Sequence, residues 1–397
     1  MKKPTVIEEV LKMRFEDIYG RYDKRELSTE GAAEILGISV RTFLRKRMRY
    51  EEEGFDGLYD RRLGKVSPHR AADAEVEWVT KLYADKYRGF NVKHFHEFAH
   101  REHGLRYGYT WTKTQLERVG LVRKSKRGGD HRLRRERRPM TGMMIHQDGS
   151  THDWVPGLGY NVDLIVTMDD ATSEITSGFF VLQEGTESTF RGLKETIEKY
   201  GLFCSFYTDR GTHYWTTPEA GGRVDKHNLT QVGRALKPLG IQQIAAYSPE
   251  ARGRSERMFG TLQNRLPKEL ALYGITTLEE ANRYLRGVYL PRHNEQFTVK
   301  PTIEDKTAYI PWVGGDLREV LCHQEERVVQ KDNTVSYHNM HLQIPKDDMR
   351  YHYVRTTVQV RHYHDESLGL FFGNRCLGYY DPQGKIIEPA LELQKAA

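Results

Sequence analysis

SPEARGRSERMFGTLQNRL, Ser248–Leu266, sets one carboxylate, Glu256, among Arg252, Arg254 and Arg257 at the start of a stretch with helical apolar spacing. An exposed ion pair on a helix contributes only ~0.3 to 0.5 kcal/mol, so stability is a weak reason to put an acid there. Two further carboxylates share a different local pattern. Asp148 in IHQDGSTHDW and Asp209 in FYTDRGTHYW each follow an apolar run and precede a glycine-containing loop, the placement of a side chain presented at the rim of a sheet. Three acids meeting at one point repel by about 4 kcal/mol per pair at 4 Å and an effective dielectric near 20. A divalent cation turns that repulsion into a binding site. Oxygen-only ligands suit Mg²⁺ or Mn²⁺, and two such ions about 3.5 to 4 Å apart can clamp the attacking and leaving oxygens of an in-line phosphoryl displacement.

The sequence around these acids predicts an α/β fold. MMIHQDGSTHDWV, YNVDLIVTMDD and EITSGFFVLQ are rich in β-branched and aromatic residues and are separated by turn residues such as Pro156-Gly157 and Asp169-Asp170. A helix, STFRGLKETIEKYG, comes next, then a strand, FCSFYTD, a long polar loop, a helix to Leu239, a short strand, IQQIAA, and the helix holding Glu256. Three consecutive strands followed by alternation with helices imply a mixed sheet. Asp169-Asp170 could itself supply metal ligands, but a strand-to-strand turn explains the pair more simply. Beyond Asp316, period-2 alternation punctuated by Asp332-Asn333, Ser367-Leu368-Gly369 and Gly373-Asn374 predicts a small antiparallel β-barrel.

The front of the chain is different in composition. Lys and Arg outnumber Asp and Glu 33 to 22 over residues 1–140, and are outnumbered 33 to 28 thereafter. Clustered cations that neutralise phosphates release counterions, so a nucleic-acid partner with salt-dependent affinity is the first expectation. LSTEGAAEILGISVRTFLRKRMRY, Leu27–Tyr50, carries it further. Ala32, Ala33, Ile35 and Leu36 form an apolar stripe ended by Gly37, Ser39 can cap a second helix, and Val40, Phe43 and Leu44 are expected to face inward. This is the pattern of a helix-turn-helix in which Arg41, Thr42, Arg45, Lys46 and Arg49 point outward toward DNA. GFDGLYDRRLGKVSP, Gly54–Pro68, then reads as a linker. A second helical region over 66–122 ends in KTQLERVG, where Lys113, Gln115 and Arg118 could reach DNA. RKSKRGGDHRLRRERR, Arg123–Arg138, holds nine Lys and Arg, beginning with Arg123 and Lys124. Such density favours an extended linker along a phosphate backbone.

Other classes are disfavoured. No run of 18 apolar residues occurs, and the opening residues interrupt any apolar stretch with charges, so neither a membrane span nor a signal peptide is expected. Cys204, Cys322 and Cys376 are too few and too scattered for a disulfide framework or a C-x-x-C metal pair. The expected setting is cytoplasmic and associated with the nucleoid. HEFAH, His96–His100, matches H-E-x-x-H, but His103 stands where the extended zinc-protease motif has glycine, and no third ligand presents itself.

YTDRGTHY resembles the T-D-x-G-x-x-F/Y segment of retroviral integrases and bacterial insertion-sequence transposases. LGIQQIAAYSPEARGRSERMFGTLQ resembles their L-G-I…Y-x-P…G-x-x-E-R-x-x-x-T-L segment, with Gly253 three residues before the acid. The resemblance to this DDE family covers roughly Met143 to Leu290. It implies an RNase H-like core with Asp148, Asp209 and Glu256 as metal ligands, two ions of Mg²⁺ or Mn²⁺ per active site, and flanking phosphates met by Arg252, Arg254 and Arg257. It implies 3′-end cleavage at terminal inverted repeats followed by strand transfer, acting on double-stranded DNA as a dimer or larger assembly. The expected layout is a helix-turn-helix domain over 1–65, a second helical DNA-binding domain over 66–122, a basic linker over 123–140, the catalytic core over 141–300, a small β-barrel over 301–385 and a tail over 386–397. The 46 residues between Asp209 and Glu256 exceed the roughly 35 of many relatives, with the surplus expected in Thr216–Asn228. Glu250 is the alternative third acid but lacks the G-x-x-E context. A catalytically inactive DNA-binding repressor and an RNase H-like nuclease are the competing functions.

Overall fold

The computed structural model describes residues 6–59, 70–123, 135–218, 222–247, 249–346 and 348–389. The chain divides into two compact units, Met1–Val79 and Thr80–Ala397. In the first, α1 (Val6–Asp23), α2 (Thr29–Leu36) and α3 (Val40–Glu53) enclose Phe15, Ile18, Ala32, Ala33 and Phe43. Ser28 Oγ accepts the Gly31 amide to start α2, and Ser39 Oγ accepts the Thr42 amide to start α3. Between them Gly37 ends α2 at φ +64°, a left-handed conformation that costs residues with a Cβ about 1 kcal/mol or more.

The inward face of α3 is narrower than its spacing predicts. Phe43 is buried, but Val40 and Leu44 are 36% and 41% exposed, and Ile35 of α2 is exposed as well. The rings of Phe15 and Tyr22 pack against Phe43 with centroids 5.8 and 5.2 Å away, so aromatics from α1 fill the volume those aliphatic side chains would have taken. The first residues of the expected linker are folded. Gly54–Leu58 forms a 3-10 turn against α3, where a Cβ on Gly57 would lie 2.2 Å from the Arg49 carbonyl oxygen.

The helix α4 (Asp73–Lys86) straddles the division. Within the second unit come α5 (Val92–His103) and α6 (Tyr109–Arg118), then β1 (Ile145–His152), β2 (Val162–Asp169), β3 (Ile175–Val181), α7 (Thr186–Tyr200), β4 (Ser205–Thr208), α8 (Gln231–Leu236), β5 (Gln242–Ala245), α9 (Pro249–Leu272), α10 (Leu278–Tyr284) and α11 (Leu290–Phe297). The five strands take the order β3-β2-β1-β4-β5. The first three run antiparallel, while β4 and β5 join β1 in parallel. This is the mixed α/β sheet expected from the strand pattern. Helices cover both faces, which is why β2 is buried along its whole length. On one face Leu164, Val166 and Met168 meet Met258, Phe259, Leu262 and Leu266 of α9. On the other, Ile145 and Phe206 meet Phe190, Leu193 and Ile197 of α7.

The helix α5 is fastened to the far half of α9. Arg265 pairs with Glu97 through both terminal nitrogens, at 2.6 and 3.3 Å, and His94 Nε2 lies 2.8 Å from Glu269, which also accepts from Tyr284 and Arg292. A cavity of about 30 Å³ lies among these side chains.

The C-terminal strands are β6 (His323–Val328), β7 (Thr334–Tyr337), β8 (Met340–Gln343), β9 (Thr357–His362), β10 (Leu368–Phe372), β11 (Arg375–Tyr380) and β12 (Ile386–Pro389). They are antiparallel, as the alternation predicts, but the expected barrel is not closed. Five strands form an open sheet, β12-β11-β10-β9-β6, and β7 and β8 form a separate ribbon. The ribbon lays Val335 and Leu342 against Val360, Leu368 and Leu370, so the core is sealed by packing one sheet on another. Among the described residues, no helix is long and apolar enough to cross a membrane.

Candidate active site and nucleic-acid interface

The parallel pairing of β1 and β4 sets Ile145 opposite Phe206 and His146 opposite Tyr207. Carried two residues further, that register puts Asp148 opposite Asp209, which follows the last residue of β4. Both acids are half-buried. Asp209 Oδ1 accepts the Gly211 amide at 2.9 Å, which turns the chain off the strand and fixes the carboxylate. The buried Tyr214 hydroxyl senses both acids. Burial first, and then the charges of Glu184, Asp148 and Asp209, hold its proton on well above the ordinary range.

Glu256 arrives from α9. Alternate residues of a strand share a face, so His146, Asp148 and Ser150 lie together, and α9 is tied to that face on either side of Asp148. Gln263 Nε2 donates to Ser150 Oγ at 3.3 Å, while Arg254 and His146 share the carboxylate of Asp170. Residues seven apart lie on nearly the same stripe of a helix, so Glu256 projects from the stripe that carries Gln263 to β1. It is exposed. Among the described residues, no group of three or more His, Cys, Asp and Glu side chains is gathered to hold a metal ion. The register of β1 and β4, continued, aligns Asp148 with Asp209, and Glu256 stands exposed on the adjoining helix. The side chain of Glu250 lies outside what is described.

Sequence reading passed over Glu184, which precedes α7. Its amide donates to Asp163 Oδ2 at 2.6 Å, and its carboxylate accepts from Tyr214 at 3.3 Å and lies 3.5 Å from His213 Nε2. A Cβ on Gly149 would come within 2.4 Å of Glu184 Oε2. The glycine after Asp148, and the His-Tyr pair after the T-D-x-G segment, were the available signals. Asp148, Asp209 and Glu256 offer only carboxylate oxygens, the donor type of a hard divalent cation, so in ligand chemistry these residues fit Mg²⁺ or Mn²⁺, while Glu184 lies beside Gly149 and Tyr214.

Asp169 and Asp170 occupy the turn between β2 and β3. Asp169 accepts the Gly142 and Ala171 amides and the Tyr309 hydroxyl. Asp170 is fully buried and collects Arg135, Arg254 and His146 on Oδ1 and the Arg138 amide on Oδ2. Burial alone would raise its pKa, but the hydrogen bond and charge of His146, the Arg138 amide and Arg135 hold it well below the carboxylate range. Burial lowers the His146 pKa against the opposing pull of Asp170, and the two neighbouring guanidiniums lower it further. Arg254, expected at a phosphate, instead turns inward to this buried acid and to the Arg135 carbonyl oxygen at 2.7 Å.

The remaining basic positions differ in access. Arg257, Arg41, Arg45, Arg118 and Arg123 are exposed, and Arg49 and Gln115 are half-buried. Thr42 Oγ1 is 2.8 Å from the capping Ser39 hydroxyl. Lys46 lies half-buried over the Phe15 ring, and Lys113 pairs with Glu117 at 3.7 Å. Lys124 and the side chain of Arg252 lie outside the described residues. In HEFAH, Glu97 is held by Arg265 and His96 Nε2 lies 3.1 Å from the Tyr107 carbonyl oxygen, so neither is arranged as zinc-protease chemistry requires.

A helix-turn-helix domain family matches residues 20–65, which contain α2 and α3. The chain is 28% identical over 365 residues to y4bF of Sinorhizobium fredii, a provisionally named transposase, covering 91% of this chain and 79% of that protein. It is 26% identical over 340 residues to the transposase for insertion sequence IS1202 of Streptococcus pneumoniae, covering 77% and 72%. The chain is a relative of insertion-sequence transposases. The similarity to transposases runs through the helix-turn-helix and the mixed-sheet core alike. Among solved structures, the HTLV-2 integrase catalytic core domain in complex with magnesium aligns at 16% identity over 37% of this chain and 85% of that one, with a TM-score of 0.29. That superposition is too slight to bear on the fold, which rests on the strand order.

Proposed function

We propose that the protein is a DNA transposase whose helical regions bind the terminal inverted repeats of a mobile element and whose core cleaves the 3′ ends and joins them to target DNA. The observation that carries this reading is the register of β1 and β4, which sets Asp148 level with Asp209. Glu256, on the helix packed against the same face, completes the acid set. Asp148, Asp209 and Glu256 would hold one or two divalent cations, which would supply positive charge to the phosphate and its departing oxygen. Arg257, exposed one residue after Glu256, binds a flanking phosphate. Arg41 and Arg45 on α3 engage the repeat, and the basic linker follows its backbone. Two ends must be held for joining, so the working form is a dimer or larger assembly.

The test is incubation of the protein with duplex DNA bearing the element's ends and Mg²⁺. Cleavage that vanishes in Asp148→Asn while DNA binding persists is the expected result. Binding with no cleavage by the unmutated protein would reduce the chain to a repressor, and nicks without joined product would reduce it to a nuclease.

A further inference from the structure

We infer that Asp170 is a positioning residue: it ties α9 to β1 and thereby sets where Glu256 stands relative to Asp148. The inference rests on the proposed role of those two acids, but its structural half is independent of it.

Asp170 is fully buried in the turn after β2 and has no access to substrate. One of its oxygens, Oδ1, is shared by β1, α9 and the linker. His146 lies on β1 two residues before Asp148 and on the same face, with Nε2 2.7 Å from Oδ1. Arg254 lies on α9 two residues before Glu256 and is 14% exposed. Arg135 comes from the basic linker. The other oxygen takes the Arg138 amide at 2.8 Å. The chain of contacts from Asp148 to Glu256 therefore runs through two strand residues, one carboxylate, one guanidinium and half a helical turn. Gln263 supplies a second attachment on the other side of Asp148, but a single neutral hydrogen bond at 3.3 Å holds less firmly than a buried, charge-assisted one. Apolar packing of Met258 and Phe259 holds α9 on the sheet, but it is non-directional, so the first turns, where Glu256 is, lose their charged anchor without Asp170.

The same carboxylate grips the linker. Arg137 reinforces it, donating to the Asp170 carbonyl oxygen at 3.0 Å and to Ser173 Oγ at 2.8 Å. Linker and acid-bearing helix thus share one anchor in the core.

Asp170→Asn keeps the shape and removes the charge; Arg254→Gln removes only the tie to α9 and serves if the first variant folds poorly. Hydrogen–deuterium exchange is read over residues 253–262 of the full chain, alongside cleavage of end DNA with Mg²⁺. The expected result is exchange about 10-fold faster in those turns, with kcat for cleavage lowered about 10- to 100-fold, as when an orienting partner is lost, and KM for the DNA unchanged. Arg254→Lys, which keeps a cation on Asp170, is expected to recover most of the protection and the rate. Unchanged exchange in both Asp170→Asn and Arg254→Gln overturns the inference whatever the cleavage assay gives. If exchange rises but the unmutated protein cuts nothing, the tie stands and the proposed function falls.

Discussion

Glu97 of α5 and Arg265 of α9 form a two-pronged ion pair, with the Glu97 side chain 20% exposed and the Arg265 side chain 10% exposed. Gln296 donates to the same carboxylate at 2.6 Å. Burial would raise the Glu97 carboxyl, but Arg265 and Gln296 hold it below the ordinary range. Removing one partner strands the other charge where water reaches it poorly. Glu97→Ala is expected to cost on the order of 3 kcal/mol, measured as a fall in the denaturant midpoint. Zinc chelators should leave that midpoint unmoved, because Glu97 serves an arginine; stoichiometric zinc lost on mutation of His96 would contradict this.

The third acid can be identified by comparing two neighbours. Glu256→Gln is expected to reduce end cleavage by about three orders of magnitude, the scale on which one member of a catalytic unit is missed. Glu250→Gln should retain most of the activity. The reverse outcome would move the acid to the very start of α9 and undo its assignment to the Gln263 stripe.

A pH dependence follows from His293, whose pKa burial and then Arg265 push down to about 4. Its folded value lies below the unfolded value of about 6.5. The neutral ring therefore favours the folded state, in full above about pH 6.5, and that stability drains as pH falls toward 4. The total is about 3 kcal/mol. His293→Phe keeps a ring between Tyr289 and Phe297 and removes the titration. Chemical denaturation at pH 7 and pH 4.5 should differ by about 2 to 3 kcal/mol less in the variant. His94, also pushed down by burial, should leave a residual slope of the same sign.

Exposure ranks the proposed DNA contacts on α3. Arg45→Ala should lower affinity for any duplex and flatten the plot of log affinity against log salt by about 0.9 if it meets one phosphate. Lys46→Ala should change the slope less, since that amine lies half-buried over Phe15 and burial already lowers its pKa. Equal slopes for the two variants would mean that Lys46 leaves the ring to reach DNA.

Much of the core was legible because its signals are local. Asp209 follows the last residue of β4, as a run ending in acid and glycine suggests, but Asp148 does not end its strand: β1 runs on through Gly149 to His152 and pairs Asp148 with Val166, because a glycine can continue a ladder as well as break one. Gly37 and Ser39 fix a turn by backbone chemistry. Relations across long separations were not legible. Arg254 meets an acid 84 residues away, and no spacing in the helix distinguishes a guanidinium bound to a buried carboxylate from one awaiting phosphate. Val40 and Leu44 lie at inward spacing on α3, but periodicity cannot say that rings from α1 already occupy the core. The alternation of β6 to β12 gives strands and faces, while closure depends on which edges meet, and here β6 and β12 remain apart. Glu184 was passed over because a lone glutamate before a helix has an ordinary use as a helix-start acid, and its link to Gly149 and the His-Tyr pair spans long separations.

On α9, Glu256 stands thirteen residues from Glu269, about 20 Å along the axis. One end of this rod is gripped by α5 through His94 and Glu97, and the other carries an acid. The acid-bearing end is held too, by Asp170 through Arg254, so α9 is a beam resting on two supports: losing the one nearer Glu256 would shift that end while the α5 end stays in place.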